Sequence, residues 1–317
     1  MLSVPDVTHP APLPAPLYRG SVNTWECDEG GHLNVRFHFE RAMSGLAHMA
    51  HALEMPHAFT ARAGATLIPL EAHIRFLKEA RPGAPLAMHG GVISMDESEA
   101  LLCLDMRHAD GAPASCFTMK VAHVETRAFR PFPWAARSRA AAERMHCALP
   151  QHATPRSIDP TRAPSEDASL QRAIELGAAR IGAALVTPHQ CDAFGRLRGE
   201  HFPGRISDSV PNLLAHWRQE AAQANEGSAP AGAVVEARIV YRRFPRAGDL
   251  IEVRSGIIEV GEKTLRLAHW LCDPESGGVW ASMEAVALTF DTATRKTISP
   301  APEARARLVK HVVAMAV

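Results

Sequence analysis

Apolar residues follow a helical period over one long stretch near the start of the chain. Between residues 35 and 53 they recur at intervals of three or four, at Val35, Phe39, Met43, Leu46, Ala50 and Leu53. This spacing places them on one side of an α-helix. It therefore predicts an amphipathic helix whose apolar face covers another element.

Five other stretches have the features of β-strands. The first is predicted from Tyr18 to Trp25, before the helix. Four more follow the helix, at Thr66–Lys78, Leu86–Met95, Ala100–His108 and Ser115–Val124. The segments ARPGAP, MDES and ADGAP between them are typical of turns. Apolar and polar residues alternate along the first of these four strands, so one of its faces is apolar.

The same order of elements recurs in the second half of the chain. Cys191-Asp192 stands 164 residues after Cys27-Asp28, and VEARIVYRRFPRAGDLI aligns with LEAHIRFLKEARPGAPL. A repeat of this length predicts two copies of one fold, at residues 18–125 and 184–291. Each copy has one long helix and about five antiparallel strands, which predicts an α+β fold. If the two sheets pair edge to edge, their open edges are covered and both helices lie on one side.

The remaining segments connect or flank the two copies. Residues 1–17 are rich in proline, which predicts an extended N-terminal arm. Residues 126–183 are predicted to form a linker that contains short helices. Residues 292–317 are predicted to form a C-terminal tail with a helix in PEARARLVKHVVAMAV.

Composition narrows the class of protein. Of the 317 residues, 46% are hydrophobic and 21% are charged, which indicates a packed core rather than disorder. The 34 basic and 34 acidic residues balance, so we expect no general affinity for nucleic acid or anionic membranes. The six cysteines form no CxxC pair. With neither a signal-like N-terminus nor an apolar run of membrane-spanning length, we expect a cytoplasmic protein with reduced thiols.

Polar residues concentrate in the loop WECDEGGHLN, which leads into the first helix. Asp28, His32 and Asn34 lie within seven residues of one another, beside Gly30 and Gly31, which allow a substrate to approach the main chain. The carboxylate can act as a base or a nucleophile, and the imidazole can orient water or hold a carbonyl oxygen. Structural roles are also open, since the aspartate suits a turn and the asparagine suits a helix N-cap.

The helix that follows contributes main-chain groups to the same site. N–H groups of its first turn, which begins at Val35, can stabilise negative charge on a substrate oxygen. The loop, this aromatic-rich helix and the strand LEAHIRFLKEARPG together resemble the hotdog-fold thioesterases. The closest in pattern are the 4-hydroxybenzoyl-CoA thioesterase-like group and the acyl-ACP thioesterases, which often carry D-x-x-G-H-x-N before the helix. The two copies resemble the double-hotdog form of the plant acyl-ACP enzymes.

This resemblance implies an activity and a set of residues. It implies hydrolysis of an acyl thioester of CoA or of acyl-carrier protein, without a metal or an organic cofactor, on a substrate bound between two hotdog units. It also implies that Asp28, His32 and Asn34 are catalytic, together with Glu79 in LKEARPG, where the acyl-ACP enzymes have the pattern R-E-C-G-R. Ala80 stands where that pattern has its cysteine.

The second copy has lost most of these polar residues. It keeps the aspartate as Asp192 but carries Arg196, Arg198 and Phe244 in place of the histidine, the asparagine and the glutamate. We therefore predict one working site, in the first copy, with the second copy as its wall. The two arginines of this loop and Arg243 are candidates for binding substrate phosphate or carboxylate, or are solvated surface charges.

Two other functions stay open on the sequence alone. A hotdog hydratase or dehydratase acting on enoyl or 3-hydroxyacyl thioesters has the same fold, although its D-x-N-P-x-H motif is not found in the chain. A non-catalytic acyl-thioester-binding protein would also account for the altered second copy. His48 and His51 lack a carboxylate at metal-site spacing, so no metal site is predicted. Both a monomer and a homodimer of tandem units are compatible with the repeat.

Overall fold

The computed structural model describes residues 15–222, 230–291 and 294–317, so most of the predicted N-terminal arm lies outside the described residues. The first half has the strands and helix β1 (Ala15–Ser21), α1 (Val35–Ala52), β2 (Ala65–Phe76), β3 (Pro85–Met95), β4 (Glu99–His108) and β5 (Pro113–Glu125). Two short helices follow, α2 (Ala136–Arg144) and α3 (Leu170–Glu175). The second half has β6 (Ala179–Leu185), α4 (His201–Ala222), β7 (Pro230–Tyr241), β8 (Leu250–Val260), β9 (Thr264–Cys272) and β10 (Val279–Asp291). The chain ends with β11 (Thr297–Ile298) and α5 (Pro302–Val309).

These strands form one antiparallel sheet. Their order is β1-β3-β4-β5-β2-β7-β10-β9-β8-β6, and β11 pairs with β10. The two halves meet where β2 and β7 pair antiparallel, with Glu71 opposite Val240 and Arg75 opposite Glu236. This is the edge-to-edge pairing that the repeat predicts, and it satisfies the main-chain groups of both strands.

The long helices lie on one face of this sheet. Helix α1 packs beside β1 and β3, α4 packs beside β6 and β8, and the two helices contact each other. The predicted apolar stripe of α1 faces the sheet, where the rings of Phe39 and Phe117 meet edge to face at 5.0 Å. Leu46 and Met49 are also fully buried there. Burial of each such side chain contributes about 2–3 kcal/mol, so this face fixes how the helix sits on the sheet.

The connection between the halves covers the opposite face of the sheet. There Glu236 of β7 accepts the main-chain N–H groups of Arg156 and Ser157, at 3.0 and 2.9 Å. It also lies 2.8 Å from Nε2 of His73 on β2. This carboxylate thus joins the two halves and the segment between them, all in a buried position. Contacts on both faces of the sheet therefore fix how the two halves are aligned.

The start of each half differs from the sequence-based prediction. The first strand does not reach Trp25, because β1 ends at Ser21 and a short 3-10 turn forms over Thr24–Glu26. Glu26 stabilises this turn, since its carboxylate accepts the N–H of Asn23 at 2.6 Å. In the second half β6 already begins at Ala179, before residue 184, where the second copy was predicted to start. Among the helices of the described residues, none combines the length and the apolar composition that a membrane-spanning helix requires.

Candidate active site

The loop before α1 holds Asp28 and His32 as a pair. Oδ1 of Asp28 accepts the N–H of Gly30 at 2.9 Å, and the N–H of Asp28 donates to the carbonyl of His32 at 3.0 Å. Oδ2 of Asp28 lies 3.1 Å from Nδ1 of His32. Gly31 closes the loop with φ at 73°, a conformation that glycine adopts without strain. The turn therefore orients both side chains, and Gly31 suits the backbone conformation that closes it.

The charges of this pair reinforce each other. Burial opposes the charge of Asp28, but its hydrogen bond to His32, the imidazole charge and the main-chain N–H groups outweigh burial, so the pKa of Asp28 lies below its ordinary value. The hydrogen bond to Asp28 raises the pKa of His32 above its ordinary value. The two side chains are 29% and 14% exposed. The loop thus holds an ionised carboxylate and an imidazole that protonates more easily than a free histidine.

Asn34 joins this loop to the second half. Its Oδ1 accepts the N–H of Arg36 at 2.9 Å, which is the helix N-cap that the sequence indicates. Its Nδ2 donates to Oγ of Ser207 on α4 at 3.0 Å, and the Ser207 hydroxyl lies 3.2 Å from Oδ1. The carboxamide is thus engaged with the helix and with the other unit. No local pattern identifies Ser207, which is 173 residues away along the chain.

Beside this cap lies the main-chain N–H at the start of α1. Val35 is the first residue of the helix. Among the described residues no hydrogen-bond acceptor contacts its N–H, whereas the N–H groups of Arg36 and Phe37 are bonded to Asn34. A free N–H at a helix start, with the helix dipole behind it, can bind the oxygen of a polarised carbonyl.

Buried polar contacts hold the loop against α1 and the sheet. Glu26 pairs with Arg41 of α1 at 2.8 Å, which fixes the turn before the loop against the helix. His38 lies one turn into α1, with Nδ1 3.0 Å from Oγ of Ser115 on β5. Complete burial lowers the pKa of His38 to about 3, so this histidine stays neutral. The N–H of Leu33 donates to the carbonyl of Ala80 at 2.8 Å, which ties the loop to the end of β2.

Glu79 lies at the rim of the same loop. Its side chain is 39% exposed, with Oε1 3.2 Å from Arg295 and Oε2 3.6 Å from Arg81. Its charge also helps to raise the pKa of His32, so both carboxylates act on one imidazole. Glu79 and Asp28 therefore share one region, but Glu79 is already paired with two arginines. Arg295 comes from the C-terminal segment, and nothing in the sequence pattern pointed to it.

The second copy repeats the backbone of the loop. The N–H of Asp192 donates to the carbonyl of Arg196 at 2.7 Å, and Gly195 has φ at 75°. Oδ1 of Asp192 accepts the N–H groups of Phe194 and Arg196, at 2.9 and 3.0 Å. Asp192 thus keeps the position of the first aspartate relative to its own helix, α4.

The chemistry of the second loop is different, because Arg196 neutralises its aspartate. The guanidinium lies 3.0 and 2.8 Å from Oδ2 of Asp192 through Nε and Nη2. It also lies over the rings of Phe129, Phe194 and Phe244, with 4.0 Å to the centroid of the nearest, Phe129. Its side chain is only 9% exposed. Arg196 is therefore engaged by its own loop, and its binding of a substrate anion stays a prediction.

The other two predicted arginines have partners of their own. Arg198 lies 3.2 Å from Glu200 and 3.1 Å from Nε2 of His201, at the start of α4. Arg243 lies over the ring of Trp280, 4.5 Å from its centroid, and its contacts are with the β9–β10 hairpin. The structure thus brings Asp28, His32, Asn34 and Glu79 together with the N–H of Val35, and it leaves Arg243 with a separate set of contacts.

Comparisons with known proteins show which structures share this fold. Structures with a similar fold include a provisionally assigned oleoyl thioesterase from Lactobacillus plantarum, with 12% identity, a TM-score of 0.65 and coverage of 86% of this chain and 95% of that one. The 12:0-ACP thioesterase of Umbellularia californica has 11% identity, a TM-score of 0.64 and coverage of 86% and 93%. An acyl-ACP thioesterase from Bacteroides thetaiotaomicron has 11% identity, a TM-score of 0.59 and coverage of 85% and 96%. Among proteins with curated descriptions, none matches the sequence.

At these identities the solved structures show the fold, and the sequence itself shows the family. Residues 22–141 and 186–308 both match the family model of the thioesterase-like superfamily. The two matches correspond to the two repeated units and together span most of the chain. The chain therefore belongs to the thioesterase-like superfamily and has its hotdog-like α+β fold in two repeated units.

Proposed function

We propose that this protein hydrolyses an acyl thioester to a free acid and a thiol. The observation that carries the proposal is the ionised Asp28, paired with His32 beside the free N–H at the start of α1. This places a base or nucleophile next to a donor for a carbonyl oxygen, which are the two groups that the reaction needs. Membership of the thioesterase-like superfamily supports the same activity.

In the proposed mechanism the thioester carbonyl binds at the N-terminus of α1. The N–H of Val35 and the helix dipole stabilise the negative charge that develops on the carbonyl oxygen. Asp28 then removes a proton from an attacking water, or attacks the carbonyl carbon itself and is released by water. Both routes break the carbon–sulfur bond and leave the acyl group with one oxygen from water.

His32 controls the charge of the site during this step. Its Nδ1 is held by Asp28, so Nε2 is the nitrogen that can reach substrate or water. A protonated imidazole can donate a proton to the departing sulfur, and it can regain one from the water that Asp28 activates. A thiolate is a good leaving group compared with an alkoxide, so this assistance is needed only in part. Glu79 is the second candidate base, although two arginines already engage its carboxylate.

The second unit would supply the wall of the substrate site. Ser207 of α4 contacts Asn34, so the boundary between the units begins directly beside the proposed carbonyl site. An acyl thioester bound along this boundary would contact both units. The substrate class that we propose is an acyl thioester of CoA or of acyl-carrier protein, in the cytoplasm, and names among the structural relatives refer to fatty acyl groups.

A thiol-release assay tests the activity and separates it from the alternatives. The purified protein is mixed with acyl-CoAs of increasing chain length and with acyl-carrier proteins, and free thiol is measured with a chromogenic thiol reagent. Turnover of at least one series supports the proposal. A change in enoyl absorbance without thiol release would instead indicate a hydratase, and saturable binding of acyl-CoA without either product would indicate a binding protein. Both of these results contradict hydrolysis.

A further inference from the structure

A second group of reactive side chains lies on the face of the sheet opposite α1. Cys103 and Asp105 extend from β4 and Cys116 from β5, on the sides of these strands that face away from the helix, and Asp105 is directly opposite Cys116 in the ladder. His152 comes from the connection that covers this face. Cys103, Asp105 and Cys116 are fully buried, and His152 is 23% exposed. None of these residues has a part in the proposed hydrolysis.

The donor atoms of this group are close together. Sγ of Cys103 lies 3.7 Å from Sγ of Cys116, and Nε2 of His152 lies 2.8 Å from Oδ1 of Asp105. The ligand atoms of Asp105, Cys116 and His152 all lie within 4.8 Å of one another. Arg107 binds the other carboxylate oxygen of Asp105 at 2.7 Å, so one oxygen is fixed and the other faces the imidazole.

The separations within two pairs of these atoms are close to those of a tetrahedral metal site. Zinc binds sulfur at about 2.3 Å and nitrogen or oxygen at about 2.0 Å, so two sulfur ligands lie about 3.8 Å apart and a nitrogen and an oxygen about 3.3 Å apart. The two thiols already have nearly the first separation. An ion could replace the proton that His152 and Asp105 share if these groups moved apart by about half an ångström.

We propose that Asp105, Cys116 and His152 form a binding site for a thiophilic divalent metal, of which Zn²⁺ is the physiological example, and that Cys103, beside Cys116, moves in as the fourth ligand. Two thiolates with an imidazole select such metals over Mg²⁺ and Ca²⁺, which prefer oxygen ligands. Binding releases the two thiol protons. Arg107 holds Asp105 from outside the ligand set, and the partly exposed edge of His152 provides a path for the ion.

The sequence pattern does not reveal this site, because its ligands come from two strands and a connecting segment. Zinc motifs usually bring cysteines together within two to four residues. Here Cys103 and Cys116 are 13 residues apart and meet only because β4 and β5 pair. A metal here would join the connection to the sheet, far along the chain from the loop that carries Asp28.

Cobalt titration tests the site directly. Reduced, tag-free protein without bound metal is titrated with Co²⁺, and we expect a thiolate-to-cobalt charge-transfer band and the visible bands of tetrahedral cobalt. The bands should saturate at one equivalent and disappear when Zn²⁺ is added. In Cys116→Ser and His152→Gln the apparent affinity should fall at least tenfold. The matched control is Cys272→Ser, which removes another fully buried strand cysteine, outside this group, and should leave the titration unchanged.

The outcome does not depend on thioester hydrolysis. No thiolate-to-cobalt band in the wild-type protein, or the same affinity in Cys116→Ser, would overturn the proposal. His152→Gln provides a second test should the serine variant misfold, because this side chain is partly exposed and its replacement keeps a polar group. Addition of Zn²⁺ should also raise the Tm of the wild type and of Cys272→Ser, and it should not raise the Tm of Cys116→Ser.

Discussion

Replacing Asp28 by asparagine removes one charge from the proposed site and keeps the shape of its loop. The asparagine Oδ1 can still accept the N–H of Gly30, which is the contact that closes the turn. What is lost is the charged contact with His32, between side chains that are partly exposed. An ion pair of this kind contributes about 1 kcal/mol or less, so the variant should fold with nearly unchanged stability.

The effect on the reaction should be much larger. An asparagine side chain can neither remove a proton from water nor attack a carbonyl carbon, and general bases contribute about 10²- to 10⁴-fold to enzymatic rates. We therefore expect kcat for thiol release to fall at least about a hundredfold in Asp28→Asn, which is about 3 kcal/mol of barrier. The assay is thiol release at saturating acyl-CoA, on protein shown to be folded by circular dichroism.

The equivalent change in the second loop should lower the stability of the protein and leave kcat nearly unchanged. Asp192→Asn leaves the buried guanidinium of Arg196 without its counter-charge. Loss of one partner of a buried ion pair costs about 3–5 kcal/mol, so stability to denaturant should fall clearly. The kcat of the folded fraction should stay within about threefold of wild type, because this loop carries no free carboxylate.

The pH dependence gives an independent check of the first pair. The pKa of Asp28 is lowered on folding, so its contribution to stability is present above its unfolded pKa near 3.9 and is lost as the pH falls through the lower folded pKa. The pKa of His32 is raised, so its contribution is present below its unfolded pKa near 6.5 and is lost as the pH rises through the higher folded pKa. The stability advantage of wild type over Asp28→Asn should therefore be greatest between about pH 4 and 6.5. NMR titration should show a lower pKa for His32 in the variant.

A kcat for Asp28→Asn within about threefold of wild type would refute the assignment of Asp28 as base or nucleophile. It would do so most clearly if the pKa of His32 had shifted as expected, since the pair would then have been broken without effect on the rate. Loss of activity in Asp192→Asn, on protein that is still folded, would contradict the single-site prediction instead.

Three further substitutions test the surroundings of this pair. Gly30→Ala would place a Cβ 2.9 Å from Nε2 of His32, so we expect kcat to fall at least about tenfold. The control is Gly64→Ala, where the added Cβ meets open space and the rate of thiol release should not change. Glu79→Gln should reduce kcat less than about tenfold, because two arginines already engage this carboxylate; a greater loss would make Glu79 the base. Ser207→Ala should reduce stability by about 1 kcal/mol in urea unfolding through loss of its hydrogen bonds to Asn34, and an unchanged midpoint would contradict that contact.

Much of the fold follows from local patterns, which is why the sequence predicts it well. The period of apolar residues gives α1 to within one residue at its end, and the alternation in β2 gives its apolar face, where Ala72 and Ile74 are fully buried. The repeat then predicts the pairing of β2 with β7, since two copies of an open sheet have equivalent free edges. The first strand was predicted too long, because an asparagine and a glutamate three residues apart close a 3-10 turn that the apolar pattern does not reveal.

The site was predictable only as far as its residues are neighbours in sequence. Asp28 and His32 are four residues apart, and the glycines between them indicate the turn that brings them together. Ser207 and Arg295 reach the same loop from other elements, so a local pattern cannot identify them. For Arg196 the residue type was evident from the sequence, but its partner was not, and the partner decides whether an arginine can bind an anion.

The two loops show why one unit can carry a site while the other cannot. Both aspartates occupy the same turn, and both are held by main-chain N–H groups before a helix. In the first loop the counter-charge is a histidine, which contacts the carboxylate through one nitrogen and is a titratable group. In the second loop it is an arginine, which stays charged, binds the carboxylate through two nitrogens and is covered by three aromatic rings. The second loop is therefore neutral, and its carboxylate is bound by main-chain N–H groups and by a permanently charged guanidinium. A carboxylate held in this way is a poor base and a poor nucleophile, so the reaction that we propose is confined to the loop of Asp28.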